Sequence, residues 1–178
     1  MSDRQILERL LEDSDDPGNP GPGALRDIVR RTFSIAVVGL SRDPLKAARR
    51  VPSYLATKGA EIIPVNPNAE LILGRVARDT LDEVTEPVDM VLLFRPSEEV
   101  GSFVHLAADR PERPAIWLQE GIRDDEVVEE VRSRGLVVVQ NLCMYKVHRA
   151  LGDTRQRAEG RIYGSADASL TDSMPPLV

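Results

Sequence analysis

A glycine and a serine follow the first strongly apolar run of the chain, in the segment Gly39-Leu40-Ser41. Gly39 permits a tight turn, Ser41 offers a hydroxyl and a backbone N–H, and Lys46 adds a positive charge just before a helical pattern. A helix N-terminus favours anions, so the segment predicts a phosphate site. Since Ser41 and Pro44 replace two glycines of the dinucleotide fingerprint, and since no GKS or GKT is present, an ordinary strand-to-helix turn remains the alternative.

Two further apolar runs end in polar residues, Asn66-Pro67 and Arg95-Pro96. Sites for NAD usually place Asp or Glu at the end of the second strand, so Asn66 disfavours NAD but leaves other adenine nucleotides open. Arg95 is suited to bidentate phosphate binding. The alternatives are that Asn66-Pro67 only starts a turn and that Arg95 is solvated or paired with Glu98 or Glu99.

A fourth loop carries Gln119 and Gly121, and Cys143 follows the last apolar run. Cys143 either faces the same site or is a small, half-buried apolar residue. His105 and His148 have no ligand-spaced partners, so we expect no metal site. No credible Ser-His-Asp set or paired carboxylates are present, so the sequence favours binding over catalysis.

The elements that position these loops follow from hydrophobic patterning. Short runs rich in Val and Ile alternate with helical stretches near 46–58, 97–108 and 124–134. This alternation predicts an α/β fold, with a doubly wound, mostly parallel sheet of five to six strands in a single domain. The predicted strands occupy 33–39, 61–66, 88–94, 114–119 and 135–140.

The two ends of the chain differ from this pattern. Apolar residues at helical spacing predict a helix over 3–12, and PGNPGPG at 17–23 predicts a linker. We therefore divide the chain into an N-terminal helix and linker (1–23), a binding domain (24–152) and a flexible tail (153–178). The N-terminal helix either packs on its own domain or docks on another protein or a second copy of the chain.

Composition limits the possible functions. The 178 residues carry 29 acidic and 23 basic side chains, a formal net charge of −6 that disfavours nucleic acid as a partner. No apolar run approaches the length of a membrane helix. One cysteine allows no internal disulfide, so we expect a reducing, cytoplasmic environment.

Taken together, three segments resemble the small stand-alone CoA-binding proteins, whose Rossmann-like domain is shared with the α subunit of succinyl-CoA synthetase. The resemblance covers roughly 25–150 and rests on VVGLSRDPLKAARRVPSYLATKGAEIIPVNP, LGRVARDTLDEVTEPVDMVLLFRPSEEV and IWLQEGI. It implies that the Gly39–Ser41 loop and Lys46 contact the CoA phosphates. It also implies that Val65-Asn66-Pro67 and Arg95-Pro96 line the nucleotide part of the site.

The chain departs from the family pattern at two places. Ala47-Ala48 replaces a common Pro-Ser pair, and the Arg-Cys-x-Lys-x-Glu element appears as Leu142-Cys143-Met144-Tyr145-Lys146-Val147. The resemblance implies coenzyme A or an acyl-CoA as the ligand of a non-catalytic module. The alternatives are an NAD(P)-dependent enzyme and an acyl-CoA ligase-related subunit. The resemblance places the phosphorylated histidine of the synthetase in a separate domain, and we expect no second domain of that size within these 178 residues.

Overall fold

The computed structural model describes residues 1–152, so the predicted flexible tail at 153–178 lies outside the described residues. A short 3₁₀ turn at Leu81–Glu83 accompanies the regular helices and strands. In chain order these are α1 (Asp3–Asp13), α2 (Pro22–Arg31), β1 (Ser34–Val38), α3 (Ala47–Thr57), β2 (Glu61–Val65), β3 (Leu71–Ile72), β4 (Arg75–Val76), β5 (Met90–Leu93), α4 (Ser97–Ala108), β6 (Ala115–Leu118), α5 (Asp125–Ser133), β7 (Val138–Val139) and α6 (Met144–Leu151).

Five strands form one parallel sheet in the order β2-β1-β5-β6-β7, which confirms the predicted α/β fold. The chain moves from β1 outward to β2 and then returns to the other side of β1 for β5. The strand order therefore reverses between β1 and β5. Ligands of open α/β sheets bind beyond the carboxyl ends of the strands at such a reversal.

Both faces of the sheet are covered by helices, which explains the continuous apolar runs. Alternate residues of β1 enter two separate cores: Ile35 and Val37 pack on one face, whereas Ala36 and Val38 pack on the other. Helices α1, α2, α3 and α6 contribute buried side chains to the first core, and α4 and α5 contribute to the second. Trp117 is fully buried in the first core and donates its indole N–H to the Leu142 carbonyl oxygen at 2.7 Å.

The N-terminal helix is part of this packing. Leu7 of α1 is fully buried in the first core, which favours packing on its own domain over a free docking helix. The following segment also contacts the domain, because Asp16 forms an ion pair with Arg132 at 2.9 Å. Asn19 accepts from the Gln140 backbone N–H and donates to the Gln140 carbonyl oxygen, both at 2.9 Å. The Pro- and Gly-rich segment is therefore attached beside the short edge strand β7.

Two elements differ from the sequence-based expectation. A two-stranded antiparallel hairpin, β3–β4, stands apart from the main sheet in the less regular stretch after β2. Helix α6 is absent from the prediction, although Met144, Val147, His148 and Leu151 are its buried residues and follow helical spacing. The helix has only eight residues, and its apolar pattern includes a histidine, so the periodic signal is weak.

Candidate functional site

The turn after β1 is packed so closely that only glycine fits without displacement. Gly39 has φ of +82°, a left-handed conformation that side chains disfavour. A Cβ at this position would lie 2.8 Å from the Phe94 carbonyl oxygen and 3.2 Å from Cδ of Arg95. The ends of β1 and β5 therefore meet at the reversal of strand order, and they bring the first and third predicted loops into contact.

The loop from Ser41 to Lys46 is held by its own hydrogen bonds. Ser41 Oγ accepts from the Asp43 backbone N–H at 3.0 Å, and Asp43 Oδ1 accepts from the Leu45 backbone N–H at 3.0 Å. The Ser41 backbone N–H donates to the Ala48 carbonyl oxygen at 3.1 Å. Ser41 thus uses one acceptor position and its backbone N–H to shape the loop, while its hydroxyl proton has no acceptor among the described residues.

Helix α3 begins without a side-chain cap. Lys46 occupies the N-cap position, and the first turn carries no acidic residue. Within residues 1–152, the backbone N–H groups of Ala47 and Ala48 have no hydrogen-bond acceptor. By contrast, Ser2 caps α1 and Asp124 caps α5. The positive end of α3 therefore presents open N–H donors beside a lysine, an arrangement that binds anions.

The polar residue after β2 supports this loop. Asn66 donates from Nδ2 to the Leu40 carbonyl oxygen at 2.9 Å and accepts from the Asn68 backbone N–H at 2.8 Å. The neighbouring Val65 is buried, and its carbonyl oxygen accepts from the Gly39 N–H at 3.0 Å. Pro67 is exposed. Asn66 therefore lies against the first loop, and its amide group already has protein partners.

Arg95 lies at the end of β5 with only part of its guanidinium satisfied. Nη2 forms an ion pair with the Glu99 carboxylate, and the guanidinium carbon lies 5.9 Å from the centre of the Phe103 ring. Nε is buried and has no hydrogen-bond partner within residues 1–152. The next residue, Pro96, is the N-cap of α4 and provides no side-chain cap. An unpaired buried donor costs about 1–3 kcal/mol, so an acceptor placed here would relieve that cost.

The loop after β6 forms a separate group around the start of α6. Gln119 is buried, accepts from the Met144 backbone N–H and donates to Sγ of Cys143, both at 3.2 Å. Gly121 has φ of +83° and donates its N–H to Oδ1 of Asn141 at 2.7 Å. Gln119 thus connects β6 to α6, and Cys143 is a buried thiol at the N-cap of that helix.

An exposed ion pair accompanies this second group. Lys146 Nζ lies 2.6 Å from Oε1 of Glu120. The hydrogen bond with Glu120 raises the pKa of Lys146 above its ordinary value, against the opposing effect of burial. Lys146 is therefore a cation with a carboxylate partner, whereas Lys46 has no carboxylate within 4.0 Å in the described part of the chain.

Neither histidine lies in the loops described above. His105 of α4 is 3.6 Å from Glu130 of α5, and His148 of α6 is buried with Nδ1 3.1 Å from the Tyr54 hydroxyl. Among residues 1–152, no three His, Cys, Asp or Glu side chains are grouped so that they can hold a metal ion. No helix in the same range is long and apolar enough to cross a membrane.

The residues at the β1/β5 reversal fit a phosphate-bearing ligand. In the described part of the chain, the loops at this reversal carry three kinds of donor: the open amides of Ala47 and Ala48, the ammonium group of Lys46, and the unpaired Nε of Arg95. The sequence alone does not show that the backbone amides of Ala47 and Ala48 stay unpaired or that Phe103 lies against Arg95. Both facts depend on the folded arrangement of the chain. The sequence does contain one signal for the open amides: Lys46-Ala47-Ala48 has no Ser, Thr, Asp or Asn that could cap the start of the helix.

Several known proteins are similar to this chain in sequence, and solved structures among them are similar in fold. The chain is 33% identical to the uncharacterized protein YneT of Bacillus subtilis (strain 168) over 130 residues, which cover 73% of this chain and 96% of that protein. A solved structure from Thermus thermophilus is 32% identical with a TM-score of 0.69, and covers 75% of this chain and 100% of its own. A hypothetical protein from Pyrococcus horikoshii OT3 is 30% identical with the same TM-score, covering 75% and 94%.

A family model described as a CoA binding domain matches residues 33–149. The matched range begins just before β1 and extends into α6, so it contains every strand of the sheet and all four strand-end loops. Helices α1 and α2 precede it. The chain belongs to the CoA binding domain family.

Proposed function

We propose that the chain binds coenzyme A or an acyl-CoA at the carboxyl ends of β1, β2 and β5, as a non-catalytic binding or regulatory module. The observation that carries this proposal is the close approach of two strand ends at Gly39, which brings the Arg95 side chain to the loop that leads into the uncapped start of α3. A diphosphate is the part of CoA that such a set of donors suits.

The charges of the two neighbouring helices indicate where the diphosphate lies. Helix α3 has Lys46 at its N-cap and no acidic residue in its first turn. Helix α4 also starts without a side-chain cap, but Glu98 and Glu99 stand in its first turn. These carboxylates repel an anion and complement the dipole of α4 themselves. The diphosphate therefore binds at α3, with Arg95 reaching it from the β5 side.

Two observations support a binding role rather than redox or ligase chemistry. Asn66, at the position where NAD sites carry a carboxylate, has its side chain engaged with Leu40 and Asn68. His148 is buried against Tyr54, and His105 pairs with Glu130 between α4 and α5. Neither histidine is placed at the strand ends to transfer a proton or a phosphoryl group.

Calorimetric titration with CoA tests the proposal with a matched pair of lysine variants. Lys46→Ala removes the charge at the start of α3, whereas Lys58→Ala removes the same charge at the other end of that helix. We expect Lys46→Ala to weaken CoA binding by about tenfold, or about 1.4 kcal/mol, and Lys58→Ala to change it less than about twofold. Equal effects of the two variants would contradict the proposed position of the phosphates, and no heat of binding with the parent protein would contradict CoA as the ligand. Tight binding of NAD in place of CoA would favour the oxidoreductase alternative.

A further inference from the structure

Arg95 and Glu99 form an ion pair one helical turn apart, at the point where β5 leads into α4. The pair lies next to the candidate site, because Cδ of Arg95 is 3.2 Å from the position of a Cβ on Gly39. Both side chains are partly exposed, 39% for Arg95 and 47% for Glu99, so neither is fixed in a closed core. The carboxylate therefore occupies the same arginine that the proposed ligand requires.

The ion pair uses only one of the two nitrogen donors on one edge of the Arg95 guanidinium group. Nε and Nη2 lie on the same edge of the planar group and together can bind two oxygens of one phosphate. Glu99 takes only Nη2, and Nε is buried with no acceptor among the described residues 1–152. The Glu99 carboxylate thus leaves the Nε donor unused, whereas a phosphate can accept from both Nε and Nη2.

We infer that Glu99 is an internal competitor for the ligand, and that binding exchanges the Glu99 carboxylate on Arg95 for a phosphate of the ligand's diphosphate. This inference rests on the proposed function and adds a regulatory element to the same site. No covalent bond changes, because one ion pair is replaced by another. Nε is covered in the ion-paired state, so the arginine side chain turns from α4 toward the β1 loop during the exchange.

The exchange selects the chemical class of ligand. Only an anion that binds both Nε and Nη2 gains more from Arg95 than the carboxylate does, and a diphosphate meets that requirement. Pantetheine, which has no phosphate, gains nothing from Arg95 and does not displace Glu99. Removal of the Glu99 charge therefore strengthens binding of CoA without strengthening binding of pantetheine.

Glu98 provides a matched control for this test. It is the adjacent acidic residue in the first turn of α4, is exposed, and has no salt-bridge partner among residues 1–152. The experiment measures Kd for CoA by calorimetry with the parent protein, Glu99→Gln and Glu98→Gln, and repeats each in an Arg95→Gln background. Pantetheine is titrated in parallel, and circular dichroism verifies that each variant is folded.

We expect Glu99→Gln to tighten CoA binding by about threefold to tenfold, and Glu98→Gln to change it by less than about twofold. In the Arg95→Gln background, Glu99→Gln has no effect beyond that of Glu98→Gln. Unchanged or weaker binding by Glu99→Gln, an equal gain from Glu98→Gln, or a gain that persists without Arg95 would each overturn the role of Glu99. A parent protein that does not bind CoA would instead overturn the proposed function itself, and the exchange with it.

Discussion

Gly39 and Phe94 approach so closely that a Cβ on Gly39 would lie 2.8 Å from the Phe94 carbonyl oxygen. The two residues follow the adjacent parallel strands β1 and β5, which are paired up to Val38 and Leu93. The missing side chain thus allows the two strand ends to converge where the order of the sheet reverses. This convergence places Arg95 beside the start of the β1 loop.

A Gly39→Ala substitution should destabilise the fold. The alanine Cβ meets a backbone oxygen, and the residue must also keep φ of +82°, so we expect a loss of about 1–3 kcal/mol. Gly23→Ala is the control, since its Cβ has nothing within 4 Å and it lies in α2, where alanine is favoured over glycine by about 0.5–1 kcal/mol. Urea denaturation measures both changes. A Gly39→Ala protein as stable as the parent would show that the turn has more room than the geometry indicates.

The burial of Leu7 predicts that α1 is needed for stability. Leu7→Ala removes a fully buried side chain from the first core, and we expect a loss of about 2–5 kcal/mol. Leu45→Ala removes the same atoms from a side chain that is 84% exposed, so its effect on stability should be small. Thermal unfolding distinguishes them. If Leu7→Ala unfolds at the same temperature as the parent protein, α1 does not belong to the core.

Asn19 should stabilise the edge of the sheet beside β7. Its side chain replaces a neighbouring strand by accepting from the N–H of Gln140 and donating to its carbonyl oxygen, so Asn19→Ala leaves both groups unpaired and should cost about 1–3 kcal/mol. Asn68→Ala is the control, because only the backbone N–H of that exposed asparagine takes part in a described hydrogen bond. Chemical denaturation of both variants measures the difference. Equal losses would contradict the edge-covering role.

The Asp16–Arg132 pair should make stability depend on pH in the acid range. Burial alone would raise the pKa of Asp16, but hydrogen bonds from Arg132 and the Gly18 N–H outweigh it and lower the pKa below its ordinary value of 3.8. Because the folded pKa is the lower one, the contribution to stability is complete well above pH 3.8 and is lost as the pH falls through the folded pKa.

Asp16→Asn removes this titration. We expect the variant to be less stable than the parent protein at neutral pH, with a difference that shrinks as the pH falls below 3.8. Asp27→Asn makes the same change of charge at an exposed position of α2 that has no ion pair in the described part of the chain. Denaturation at several pH values checks both. A stability difference that stays constant with pH would mean that folding does not change the pKa of Asp16.

The sheet was predictable because its strands are buried on both faces. A continuous apolar run such as the one around Val91 and Leu92 is typical of a central parallel strand when strands alternate with helices along the chain. Helix α6 was missed because it is short and because His148 interrupts its apolar pattern. The docking of Asn19 beside β7 was missed because a Pro- and Gly-rich segment carries no local signal of the long-range contact that orders it.

The position of the candidate site was also predictable, since carboxyl ends of parallel strands lie at one edge of the sheet. The individual roles were not. Asn66 carries the right donors for a nucleotide, yet only the folded chain places the Leu40 carbonyl oxygen within reach of its amide. Likewise, only folding brings the Arg95 side chain next to Gly39 and Phe103 and leaves its Nε buried without a partner among the described residues. These roles stay predictions until ligand binding is measured.

The most direct test is an amide correlation NMR spectrum of the isotope-labelled protein during titration with CoA. We predict that the largest chemical-shift changes belong to the amides of Gly39, Ser41, Ala47 and Arg95. The amide signals of Glu61 and Ala115, at the amino ends of β2 and β6, should change little. This result would place the phosphates at the β1/β5 reversal. An unchanged spectrum at about 1 mM CoA, which corresponds to a binding free energy weaker than about −4 kcal/mol, would contradict the account. Shifts concentrated at the amino ends of the strands would contradict it equally.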